Sequence, residues 1–129
     1  MEENYREELD NIEEIVQDYI DGVIEFNFEK AEKSWHAEGV KIYYDNTNDS
    51  LEKLTMVQSR PEGKPPRKIS QRAEIKEISR VGKAATVLIQ WYQEKEDKET
   101  IFTDFLSLLK MNNQWKIVAK ITDIQKLKN

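Results

Sequence analysis

The stretch Ile101 to Thr122, IFTDFLSLLKMNNQWKIVAKIT, decides how this chain folds. It reads as two long strands meeting at a tight turn on Asn112-Asn113. Asparagine tolerates a positive φ, so the pair suits a type I′ hairpin, though less well than Asn-Gly. Side chains alternate across a strand. One face of the first strand then carries Ile101, Thr103, Phe105, Ser107 and Leu109, and the other Phe102, Asp104, Leu106 and Leu108. Both sets are largely apolar, as expected of a central strand covered on both sides. In the second strand, Trp115, Ile117, Ala119 and Ile121 separate from Lys116, Val118, Lys120 and Thr122.

Upstream of the hairpin, residues 7 to 26 predict an amphipathic helix. Leu9, Ile12, Val16, Tyr19 or Ile20, and Val23 recur at spacings of three and four, which makes one apolar stripe. Asp18, Asp21 and Glu25 share the polar face, where a solvated surface outweighs an acid–base or metal role. Asn27 is placed to cap a short second helix containing Phe28, Ala31 and Trp35. Gly39 ends the connection after it, and Val40 to Asp45 is a strand. Residues 46 to 49 are a turn cluster. Leu54 to Arg60 reads as one helical turn begun by Thr55 and stopped by Pro61. The segment from 60 to 72, RPEGKPPRKISQR, holds all three prolines and the basic residues Arg60, Lys64, Arg67, Lys68 and Arg72. It is expected to be a solvated loop, with an anion-attracting lip as the functional alternative. Strands follow at Ala73 to Ser79 and Ala84 to Gln93, the second with Val87, Ile89 and Trp91 on one face. A charged tip at 94 to 99 leads into the opening hairpin. Helices segregated ahead of an antiparallel meander make an α+β fold. A strongly curved antiparallel sheet wrapped on the N-terminal helices would bury the helical stripe.

Composition limits the function. The chain's 129 residues suit a single domain, residues 1–129, with one core. A net charge of −5 argues against a general nucleic-acid binder. With no cysteine and one histidine, thiolate chemistry and the usual zinc sites are excluded, and no cofactor motif is present. No apolar run is long enough to span a bilayer, and the acidic start MEENYREELDN is unlike a signal peptide, so the expected compartment is the cytoplasm.

This order of elements, with VQDYIDGVIEFNFEKAEKSWHAEGV at 16 to 40 and FTDFLSLLKMNNQWKIVAKITD at 102 to 123, resembles the nuclear transport factor 2-like superfamily. Within it, the chain looks most like the Putative lumazine-binding branch, near the SnoaL-like cyclases. The resemblance covers roughly residues 9 to 123. It implies a cone-shaped sheet closed by helices, a cavity at the wide end, and a homodimer formed by the outer sheet faces. Leu106, Leu108 and Val118 would supply that outer patch. In the ketosteroid isomerase relatives a helix tyrosine and a strand acid hold a developing oxyanion while a carboxylate moves the proton. Tyr19 matches the tyrosine. By spacing back from the turn, Ser107 stands where the acid would be. The base position falls on Tyr43 or Tyr44, with Asp45 the nearest carboxylate, so the isomerase machinery is mostly missing.

The candidate residues follow from these two readings. Tyr19, Trp35, Tyr43, Trp91 and Phe105 are aromatics suited to lining a cone, and Tyr19 and Ser107 carry polar tips suited to orienting a ligand. Asp104 is the one acid in the apolar hairpin, but alternation turns it away from Ser107, which favours a structural role. His36 has a suitable intrinsic pKa but no second histidine to work with. The leading expectation is a protein that binds a small hydrophobic or aromatic molecule without catalysis. A cyclase, isomerase or dehydratase using Asp45, Asp104 or His36 is one alternative. A protein-interaction module using the outer sheet or the basic loop is the other.

Overall fold

A computed structural model describes residues 5–56, 58 and 69–128. Two helices come first, α1 (Tyr5–Ile24) and α2 (Phe28–Glu32). Six strands follow: β1 (Trp35–Asp45), β2 (Ser50–Thr55), β3 (Ile69–Val81), β4 (Ala84–Lys95), β5 (Lys98–Met111) and β6 (Gln114–Lys128). They form one curved sheet in the order β2-β1-β6-β5-β4-β3. Every pairing is antiparallel except β1 with β6, which is parallel. The fold is therefore α+β, a bent sheet closed on an N-terminal helix. Among the described residues no helix is long and apolar enough to cross a membrane.

Turn chemistry sets the meander. Asn112 and Asn113 have φ of 52° and 64°, and their flanks pair as Met111 with Gln114, as a two-residue type I′ connection requires. Glu96 and Asp97 do the same between β4 and β5, with φ of 50° and 67°. The apolar stripe of α1 packs into the concave side of the sheet, where Ile12, Val16, Tyr19 and Ile20 are buried against Val87, Ile89, Leu106, Leu108 and Ile117. Asn27 caps α2, its Oδ1 accepting from the Lys30 amide at 3.1 Å.

Four local expectations are corrected. Trp35 does not belong to α2. That helix ends at Glu32, Ser34 donates its hydroxyl to the Ile15 carbonyl at 2.7 Å, and Trp35 opens β1. Gly39 lies inside that strand. A Cβ there would sit 2.7 Å from the Trp35 ring and 3.1 Å from the Ile117 carbonyl, so the ring and β6 both need the bare backbone. Leu54 belongs to β2 and not to a turn, because β2 pairs along its length with β1. Thr55 ends that strand and does open a turn, its Oγ1 accepting from the Gln58 amide at 3.2 Å and its own amide donating to Gln58 Oε1 at 2.9 Å. The basic segment is shorter than expected, since β3 begins at Ile69 and takes Arg72 with it. Arg60, Lys64, Arg67 and Lys68 lie outside the described residues.

The largest correction concerns the faces of the hairpin. Phe102, Asp104, Leu106 and Leu108 point inward, while Phe105 and Leu109 are 53% and 43% exposed on the outer side. Because both faces of β5 are apolar, alternation alone could not tell inside from outside. In β6 the pairing shifts between Ser107–Ala119 and Leu108–Ile117, which makes Val118 the extra residue of a bulge. Trp115 and Ile117 are inside before it, and Lys120 and Thr122 are inside after it.

Candidate functional site

Between α1, α2 and the concave face of the sheet lies a cavity of about 230 Å³. α1 delivers Tyr19 and Val23 to it, and α2 delivers Phe28, Ala31 and Glu32. A glycine makes this junction possible: a Cβ on Gly22 would lie 2.5 Å from the Ala31 backbone nitrogen. β1 contributes Lys41, β4 contributes Trp91 and Gln93, β5 contributes Phe102 and Asp104, and β6 contributes Lys120 and Thr122. Four of these residues, Lys41, Phe102, Lys120 and Thr122, also border a hollow of about 550 Å³ that runs out past Tyr43 and Tyr44.

The floor is a polar network built around one carboxylate. Asp104 is 2% exposed. Its Oδ2 accepts from Trp91 Nε1 at 2.8 Å, and its Oδ1 accepts from the Thr122 hydroxyl at 2.7 Å. Lys120 Nζ stands 3.7 Å from Oδ2 and donates to the Tyr19 hydroxyl oxygen at 3.1 Å. Tyr19 meets Trp35 and Trp91 edge-on, with ring centroids 5.9 and 6.1 Å away. Three strands and a helix thus converge on one buried charge with its hydrogen bonds made, as a buried charge requires.

Burial and neighbours move the titrations in different directions. Burial pushes the Tyr19 phenol up, so it stays protonated at neutral pH. Burial opposes the charge on Lys120, but Tyr19 and Asp104 outweigh it and the net shift is upward. Lys41 moves the opposite way. Burial, and then the charge of Lys120, bring its amine down to about 8.

The sequence-derived candidates divide between inside and outside. Tyr19, Trp91 and Asp104 line the cavity. Trp35 is buried behind Tyr19, and Tyr43 borders only the outer hollow. Phe105 and Ser107 sit on the convex side of the sheet and cannot reach a ligand in the cavity. Asp45 is spent on a turn, accepting from the amides of Thr47 and Asn48 at 2.9 and 3.2 Å. His36 Nδ1 accepts from the Glu38 amide at 3.0 Å and is not part of the cavity wall. Sequence reasoning missed Lys41, Lys120 and Thr122. The available signal for Lys41 was a lone lysine between Val40 and Ile42, just ahead of Tyr43 and Tyr44. For Lys120 and Thr122 there was none, because the bulge that turns them inward is not written in the alternation. Among the described residues no group of three or more acidic or histidine side chains is placed to hold a metal.

Known proteins place the chain within one structural family. It matches the family described as Putative lumazine-binding over residues 7–122. A nuclear transport factor 2-like protein of unknown function from Shewanella baltica superposes with a TM-score of 0.74 at 23% identity, covering 94% of this chain and 96% of that one. A Novosphingobium aromaticivorans protein described as Putative Scytalone Dehydratase gives 0.74 at 18% identity, covering 100% and 93%. A ketosteroid isomerase-like protein from Erwinia carotovora gives 0.69 at 13% identity, covering 97% and 100%. These likenesses speak to the fold. No curated protein matches the sequence. The chain belongs to the Putative lumazine-binding family and has the nuclear transport factor 2-like fold.

Proposed function

We propose that the cavity binds a small aromatic or polycyclic molecule that carries an acceptor oxygen. The observation behind this reading is the pairing of aromatic walls, from Tyr19, Phe28, Trp91 and Phe102, with lysine donors at the floor. A flat ring stacks or packs edge-on against such walls, and a carbonyl, phenolate or carboxylate oxygen is satisfied by Lys41 or Lys120. Lumazine, named in the family description, is a bicyclic heteroaromatic with carbonyl oxygens and so belongs to this chemical class. Titration with lumazine and with 2-naphthoic acid, followed by tryptophan fluorescence and melting temperature, tests the reading. Saturable quenching that Trp91→Phe removes, with stabilisation of about 2.7 kcal/mol at a hundredfold excess over Kd, is the expected result. A flat response to both compounds and to a wider aromatic series would end it.

A second reading, an isomerase- or dehydratase-type enzyme, is favoured by one observation: Asp104 shares the cavity with Tyr19, linked to it through Lys120. Against it, both Asp104 oxygens already accept hydrogen bonds, which leaves little freedom to carry a proton. Deuterium exchange into an α-methylene ketone such as 2-tetralone, watched by NMR, separates the two. Exchange abolished by Asp104→Asn would promote the enzyme reading over simple binding.

We further propose a homodimer through the convex sheet face. Phe105, Leu109 and Ile121 stand exposed together there, beside Val118. This is a different set from the Leu106 and Leu108 expected from sequence, which are buried inside.

A further inference from the structure

We propose that Lys41 is a nucleophilic amine that captures an aldehyde or ketone ligand as a Schiff base inside the cavity. The inference rests on the small-molecule reading of the same cavity and specifies the chemistry at its floor. Three placements support it. Lys41 enters from β1 between the aromatic walls, half-buried, and it borders both the cavity and the hollow that leads outward, so a ligand can reach its nitrogen. Its neighbour Lys120 is held as an ammonium by the Asp104 carboxylate and the Tyr19 hydroxyl. Lys41 and Lys120 line the same cavity and the same outward hollow.

Two ammonium groups facing one enclosed space repel each other, and the one anchored by a carboxylate is Lys120, beside Asp104. The described titratable groups sharing the cavity with Lys41 are Tyr19 of α1, Glu32 of α2, Asp104 of β5 and Lys120 of β6. Asp104 is engaged by Trp91, Thr122 and Lys120. Burial and the Lys120 charge bring the Lys41 amine down to about 8, so a substantial fraction is neutral at physiological pH. Desolvation beside another cation is a recognised way to activate a lysine.

The step balances with the groups present. The Lys41 nitrogen gives its lone pair to the carbonyl carbon, the π pair moves to oxygen, and a proton passes from nitrogen to that oxygen to form a carbinolamine. Lys120 then protonates the hydroxyl, which leaves as water while the C=N bond forms. The iminium proton returns to the Lys120 amine. One amine and one carbonyl become one imine and one water, with no change of oxidation state.

The test uses the wild-type protein, 2-naphthaldehyde and sodium cyanoborohydride, which reduces only the imine to a stable amine. Peptide mapping by mass spectrometry then locates the naphthylmethyl group. The expected result is an adduct concentrated on Lys41, formed at least about tenfold faster than on exposed lysines at pH 7. Excess 2-naphthalenemethanol, which fills the same space without an electrophile, should suppress it. Lys120→Met should slow it, and Lys41→Arg should remove it. Saturable naphthalenemethanol binding with label spread over the lysines by exposure would overturn the nucleophile and leave the binding reading standing. Absence of both binding and Lys41 labelling would overturn both. Because wild-type mapping decides these outcomes, they do not depend on either variant folding.

Discussion

Asp104 is the residue on which most of the interior polarity depends. Replacing it with alanine strands Trp91 Nε1, the Thr122 hydroxyl and the Lys120 ammonium in a buried site. We expect a loss of about 3–5 kcal/mol in urea unfolding. Adding Lys120→Met to Asp104→Leu removes the orphaned cation, so the double variant should lose less than the sum of the two single changes, by roughly 0.5–3 kcal/mol. Lys41 makes a separate prediction about pH. Its folded pKa of about 8 lies below the ordinary value of 10.5, so the folded state releases the proton first. Stability from this group is present above the unfolded value and is lost as pH falls through about 8. Relative to Lys41→Met, the wild type should therefore gain stability between pH 8 and about 10, by on the order of 2–3 kcal/mol. Tyr19, whose pKa is raised by burial, works the other way, but only above its ordinary value of 10.0. Equal pH slopes for wild type and variant would contradict the assignment.

Elements show where sequence was informative and where it stopped. The turns were legible because positive φ has few suppliers: Asn112-Asn113 and Glu96-Asp97 sit where the charge and amide clusters pointed. Replacing Asn113 with glycine should therefore stabilise the hairpin by up to about 1 kcal/mol, read as a higher denaturant midpoint. The stripe of α1 was equally legible, since a 3.6-residue period has one apolar side. By contrast, β5 is apolar on both sides and gave no way to choose the inner one. β6 changes its inward set partway along, at Val118. An alternation reading must then put Ala119 and Ile121 inside and Lys120 outside, the reverse of what the structure shows. The short α2 is legible at its Asn27 start, but not at its end, which depends on Ser34 reaching the Ile15 carbonyl nineteen residues back.

At the scale of the whole molecule, two surfaces are open to experiment. The convex face should hold two copies together. Light scattering is expected to give twice the chain mass for the wild type and the chain mass for Phe105→Glu with Ile121→Lys, both of which are 53% exposed in the single chain. A wild-type monomer would refute the interface. The concave side depends on a contact between distant parts of the chain. β3 to β6 can form by hairpins between neighbours, but β1 and β2 join the sheet only by laying β1 parallel along β6. During synthesis, then, β1 leaves the ribosome well before its only partner besides β2 exists. Lys41 reaches its place after the 15 residues of β6 have emerged, and until then an aromatic-rich edge is open to chaperones or to misassembly.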